Sequence, residues 1–368
     1  MATPAQASWV SAWTAAPFPA TPVLTQRDVR DYAGATVQQE LVLNTGGSRL
    51  RVRMTNALGA APLDFLAASV DIEGHAVSLR FGGREGATLP AGGALVSDPV
   101  PIAVKRFQRI AVTVRYGAVA VPAAHLLTVT VRYPDGRSRT GRGPALAAAV
   151  EVDRPRPGRV IVTLGDSITE GARAQPESFT GWPEQFAATL AILPRYGAWS
   201  VVNAGIHGNR LMREGAGPNA LARFDRDVLA IPGAIDIILL EGINDIGWGN
   251  AKAATDGPVS AEDVIAAYRQ IIDRAHSGGL RIIGATLLPY RGSVYFTSNG
   301  ELARQAVNRW IRTSNAFDAV VDFERVMADP RDPDRLDSQW DSGDHLHPND
   351  AGYATMAAAI APNLLSEP

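Results

Sequence analysis

The feature that most constrains this chain is a change of hydrophobic rhythm near residue 150. Before that point apolar and polar residues alternate. Leu50, Val52 and Met54 interleave with Arg51, Arg53 and Thr55. Ile110, Val112, Val114 and Tyr116 interleave with Ala111, Thr113 and Arg115, and Leu127, Val129, Val131 and Tyr133 with Thr128, Thr130 and Arg132. A period of two gives each strand one apolar and one polar face, as in half-buried antiparallel strands. Breaks at 44–47, 82–86 and 134–136 contain Gly or Pro and separate the runs. The expectation for residues 1–150 is an all-β sandwich or jelly-roll of about eight strands. Residues 141–158 read as a connector, because Pro155 and Pro157 favour extended chain and donate no N–H.

From residue 159 the rhythm becomes strand, helix, strand. Short apolar runs at 160–164, 200–204, 235–240, 281–288 and 319–323 suit strands covered on both faces. Between them, Val264, Tyr268, Ile271, Ile272 and Ala275 form a helical stripe, and Ser260 with Asp263 resembles a capping box. Leu302, Ala306, Trp310 and Ile311 predict a further helix, and 351–364 a last one. Such alternation predicts a three-layer, flavodoxin-like α/β domain over 151–368, with a parallel sheet of about five strands. Two domains also suit the length of 368 residues.

Composition narrows the partners. Lys and Arg total 35 and Asp and Glu 37, a net charge of -2, which argues against a nucleic-acid partner. With no cysteine, the chain has no disulfide, thiolate metal site or cysteine nucleophile. No run approaches the ~20 apolar residues of a membrane span. Residues 1–8, MATPAQAS, lack the charged start and apolar core of a signal peptide, yet Ala5-Gln6-Ala7 has the small-x-small form of a cleavage site. A secreted or periplasmic location is the expectation if a signal peptide once preceded Met1. The oligomeric state is not legible.

In an open parallel sheet, ligands bind beyond the carboxyl ends of the strands. After the first predicted strand comes Gly165-Asp166-Ser167. After the second comes Asn203-Ala204-Gly205-Ile206-His207-Gly208-Asn209, and after the third Gly242-Ile243-Asn244-Asp245. Near the C-terminus stands Asp344-His345-Leu346-His347, where a carboxylate three residues from an imidazole can orient it to accept a serine proton. Each fragment alone is also an ordinary cap, turn or solvated loop.

In this order the fragments resemble the SGNH hydrolases, also called the GDSL esterase/lipase family, over roughly residues 159–362. The resemblance implies Ser167 as nucleophile, His347 as base and Asp344 as its orienting acid. It also implies an oxyanion hole from the N–H groups of Ser167 and Gly208 and the amide of Asn244, with no cofactor and no metal. Gly208 fits the glycine block better than Gly205. His345 competes with His347 only by proximity. Some relatives carry an N-terminal β-domain, including arylesterases linked to xylan breakdown. The implied function is hydrolysis of short-acyl esters, acetyl above all, on a small molecule or a carbohydrate. Trp182, Trp248, Tyr290, Tyr295 and Trp340 lie in or near loops where aromatics stack on sugars. A lysophospholipase, thioesterase or general arylesterase is the alternative within the family. A carbohydrate-binding protein with an inactive hydrolase domain, and a metal-dependent hydrolase using His345 and His347, are the alternatives from other classes.

Overall fold

The computed structural model describes residues 8–19, 32–118, 124–144, 146–154, 158–174, 179–250 and 257–367. The N-terminal residues 1–7 and the prolines 155 and 157 lie outside them. The chain divides into two compact units, Met1–Gly158 and Arg159–Pro368.

The first unit is antiparallel β-structure. Its strands are β1 (Ser8–Thr14), β2 (Thr36–Val42), β3 (Leu50–Thr55), β4 (Leu63–Ile72), β5 (His75–Leu79), β6 (Ala87–Leu89), β7 (Ala94–Val96), β8 (Arg109–Tyr116), β9 (Ala124–Arg132), β10 (Ser138–Pro144) and β11 (Ala147–Arg154). One sheet has the order β1-β11-β3-β7. The other runs β10-β9-β2-β8-β4-β5, with β6 also paired to β4. The alternation read from the sequence is the alternation of burial: Leu50, Val52 and Met54 are buried, as are Ile110, Val112, Val114 and Tyr116.

The connector expected at 141–158 is corrected. Ala147–Arg154 is an inner strand of the first sheet, bonded to both β1 and β3. Its two acids belong there because each meets an opposite charge. Glu151 sits opposite Arg51 in the register and accepts from Arg51 Nε and Arg53 Nη2, both at 2.7 Å. Asp153 accepts from Arg49 Nε at 2.8 Å.

The second unit holds five parallel strands, β12 (Val160–Gly165), β13 (Ser200–Gly205), β14 (Ala234–Leu240), β15 (Arg281–Ala285) and β16 (Ala319–Val321), in the order β13-β12-β14-β15-β16. Helices fill the connections. The 261–277 helix starts with the expected capping box and buries the expected stripe of Val264, Tyr268, Ile271, Ile272 and Ala275. The 298–313 helix forms and buries Ile311 as expected, but the face turns at its N-terminal half. Leu302 is 66% exposed, while Glu301, Arg304 and Asn308 are buried. Arg304 makes this face tolerable by pairing with Glu301 at 2.6 Å and with Glu324. The last expected strand is shorter, because Asp322 caps the helix Phe323–Met327.

In the register, Gly165 of the central strand lies beside Gly205 on one side and Leu240 on the other. Three strand ends therefore share one level, and the segments that follow them emerge together.

Candidate active site

The chain leaves β12 through Gly165 and enters the single helical turn Ser167–Glu170. A side chain at 165 would lie 2.3 Å from the Leu240 carbonyl, so only glycine allows the turn to be this tight. Asp166 caps the turn, accepting the Ile168 N–H at 2.9 Å, which places Ser167 at its first position. Gly205 has the same need for closeness, since a Cβ there would meet the Glu170 nitrogen at 2.3 Å. Its N–H is engaged by Asn203 Oδ1, and Asn203 Nδ2 donates to the Thr169 carbonyl.

Ser167 is 4% exposed, and its Oγ lies 2.8 Å from His347 Nε2. His347 comes from the loop before the helix Asp350–Ala359. That loop is built on two aspartates. Asp341 accepts the N–H of Gly343 and of His345, and Asp344 accepts the N–H of Leu346 and of His347. The second Asp344 oxygen lies 2.8 Å from His347 Nδ1. Serine, imidazole and carboxylate thus form an unbroken line. Burial pushes the Asp344 carboxyl up, but the hydrogen bonds and charge of His347 outweigh it and hold the group well below the usual carboxylate range. Arg173 Nε also donates to that oxygen, at 3.1 Å. No sequence signal marked Arg173, because its partner stands 171 positions away.

His345 is directed elsewhere. Its Nδ1 lies 2.6 Å from Asp341, and its ring packs on Gly292. The two histidines therefore serve different aspartates. Among the described residues, no group of three or more His, Asp and Glu side chains is arranged to hold a metal.

Gly208 lies in the turn after β13 with φ +70°, a conformation glycine adopts without strain. Its N–H donates to no atom among the described residues. Asn244, in the first turn of the helix Ile243–Asn250, donates from Nδ2 to the Asn209 carbonyl at 2.9 Å. The same nitrogen lies 3.4 Å from Asp166 Oδ2. Asn244 is therefore tied both to the residue before Ser167 and to the residue after Gly208. On the other side of that turn, the His207 ring stacks on His347, with centroids 6.0 Å apart and planes 14° off parallel. Of the five residues singled out in the sequence, Ser167, His347 and Asp344 are joined directly, while Asn244 and Gly208 are linked to them through their neighbours Asp166, Asn209 and His207.

Beneath them lies a layer of buried charge that the sequence did not reveal. Arg223 is fully buried and donates to the carbonyls of Gly165 and Ala204 and to Asn209 Oδ1, clamping the first two strand ends together. Asp166 is pushed up to about 6, mainly by burial. Asp245, which accepts the N–H of Leu211, is pushed up to about 6 for the same reason. Glu241 is raised well above the usual range by burial and by the neighbouring Asp166, against the pull of Arg223.

The aromatic candidates separate. Trp182 and Tyr290 are fully buried core residues. Trp340 closes the histidine loop through its carbonyl, which accepts the Asn349 N–H. Trp248 is 38% exposed, and its ring edge is 3.5 Å from where a Gly208 Cβ would stand. Tyr295 donates to Asn244 Oδ1 at 3.1 Å.

The profile of the GDSL-like lipase/acylhydrolase family matches residues 163–355, more than half of the chain. No curated protein matches the chain. Among solved structures, an acetylxylan esterase from Geobacillus stearothermophilus is 22% identical, with TM-score 0.43, covering 57% of this chain and 95% of its own. A GDSL-like lipase from Bacteroides thetaiotaomicron VPI-5482 is 20% identical, with TM-score 0.41, covering 56% of this chain and 87% of its own. The family match spans every segment that contributes to the geometry above, and the chain belongs to the GDSL-like lipase/acylhydrolase family as an ester hydrolase of the SGNH type.

Proposed function

We propose that the protein hydrolyses short-acyl esters, acetyl esters foremost, through an acyl-enzyme on Ser167. The observation that carries this reading is the line Ser167 Oγ, His347 Nε2, His347 Nδ1, Asp344 Oδ2, with both hydrogen bonds at 2.8 Å. Ser167 Oγ attacks the ester carbonyl while His347 Nε2 takes its proton. The tetrahedral oxyanion accepts hydrogen bonds from the N–H groups of Ser167 and Gly208 and from Asn244 Nδ2. His347 returns the proton to the leaving alcohol, the C–O bond breaks, and the acyl group remains on Ser167. Water, deprotonated by His347, then attacks the acyl carbonyl, and Ser167 leaves with its proton restored. Asp344 stays ionised throughout and stabilises the imidazolium.

The small acyl group is favoured by the crowding around Gly208. A Cβ there would stand 3.1 Å from the Ala216 methyl and 3.5 Å from the Trp248 ring, so the space beside this turn is narrow. Trp248 is 38% exposed and is held in place by the buried Arg210 guanidinium 5.3 Å from its ring centroid, an aromatic suited to stacking on a polar ring such as a sugar. A carbohydrate ester is the substrate class proposed on that basis. The test is a rate series over p-nitrophenyl esters of two to twelve carbons, run beside acetate release from acetylated xylan. A steep fall beyond four carbons, with acetate released, supports the proposal. A maximum at long chains refutes it and favours a lipid substrate.

A further inference from the structure

An oxyanion donor is useful only if its N–H is already aimed when the charge forms. A primary amide can turn about its last bond, so something must hold Asn244. Its orientation follows from two contacts. The Asn209 carbonyl can only accept, so the atom facing it at 2.9 Å is Nδ2. That leaves Oδ1 facing the Tyr295 hydroxyl at 3.1 Å, and an amide oxygen can only accept, so the phenol donates. Burial and the nearby Asp166 charge raise the Tyr295 hydroxyl well above its usual value, so it keeps the proton this bond requires. With Oδ1 and one Nδ2 hydrogen committed, the second Nδ2 hydrogen has only the 3.4 Å contact to Asp166.

The site for the phenol is made by a glycine on the helix that carries Asn244. A Cβ at Gly247 would lie 2.0 Å from the Tyr295 ring, so no other residue there lets the ring approach. Tyr290 packs against the other part of the ring, with centroids 6.2 Å apart. We infer that Tyr295 is a positioning residue for the oxyanion donor: its hydroxyl locks the Asn244 amide so that one N–H is held only by the long 3.4 Å contact to Asp166, and Gly247 admits the ring. The inference rests on the acyl-enzyme reading above and adds a residue to it.

The test is kinetic. Tyr295→Phe keeps the ring and removes the bond. It should lower kcat about tenfold, the scale of one hydrogen bond, with KM within twofold and Tm nearly unchanged. In an Asn244→Ala background the same change should have no further effect on kcat. Gly247→Ala, which displaces the ring without altering the phenol, should reproduce the loss in the native background only. An unchanged kcat in Tyr295→Phe overturns the proposal. So does an equal loss with and without Asn244, which would mean that Tyr295 acts through something else. Asn244→Ala alone separates the two levels. If it costs kcat while Tyr295→Phe does not, only the positioning role falls. If it costs nothing, the oxyanion reading falls and the positioning role with it.

Discussion

Glu151 in the first unit and Glu241 in the second are both fully buried carboxylates, and their surroundings are opposite. Glu151 lies mid-strand and takes hydrogen bonds from two guanidiniums. Glu241 lies at a strand end, neither oxygen takes a hydrogen bond from another side chain among the described residues, and Arg223 stands 3.7 Å away, occupied with carbonyls. Its other neighbours include Asp166 and Asp245, which repel its charged form. A paired buried charge is a fastening for the fold, whereas a cluster of under-paired acids destabilises it and persists where function needs it. The difference separates a unit whose buried acids fasten strands from one whose buried acids lie next to Ser167, the proposed nucleophile.

Perturbations should therefore have opposite signatures in the two regions. The largest effect is expected at Ser167→Ala, where esterase turnover should fall by about 10⁴-fold or more with the thermal transition retained. Rates close to native would erase the distinction. Asn244→Ala should cost about 10²–10³ in kcat, with KM little changed. A rise in KM alone would reassign it to substrate binding. His347→Ala should be far more damaging than His345→Ala, measured in the same assay, and the reverse order would move the base to His345.

In the first unit the signature should invert. Glu151→Gln leaves Arg51 and Arg53 without their shared partner. It should cost about 1–3 kcal/mol in denaturant unfolding, at the lower end because both arginines are partly exposed. Turnover per folded molecule should stay at the native level. Glu241→Gln should have the smallest effect, and one that depends on pH. The folded-state value of Glu241 is raised, so the native protein holds that proton where the unfolded chain has released it, and its stability declines as pH rises above about 4.3. Gln cannot ionise. Melting curves between about pH 5 and pH 8 should therefore fall less steeply in the variant, and parallel curves would show that Glu241 is not held protonated.

Local features of the fold were legible. The period of two in β3 and β8, the Ser260–Asp263 capping box and the four site segments each lie within a few consecutive residues, where one rule of geometry acts. What depended on distant partners was not. Ala147–Arg154 reads as part of a connector because Pro155 and Pro157 follow it, while the arginines that let Glu151 and Asp153 lie in an inner strand stand about 100 positions earlier. The 298–313 helix buries Arg304 rather than Leu302 because Glu301 and Glu324 neutralise it, a trade that no apolar stripe reveals. Within the site, the blocks named Ser167, Gly208, Asn244, Asp344 and His347. Tyr295 stood out only as an aromatic near a loop; its bond to Asn244, like that of Arg173 to Asp344, emerged only once folding brought the partners together.

The most direct test of the account is covalent. The native protein and His347→Ala would be treated with a p-nitrophenyl phosphonate, and the modified residue located by peptide mass spectrometry. One adduct per chain is expected, on Ser167, formed in step with loss of esterase activity and at least a hundredfold slower without His347. Full activity in protein modified at Ser167, or labelling as fast in the histidine variant, would contradict it.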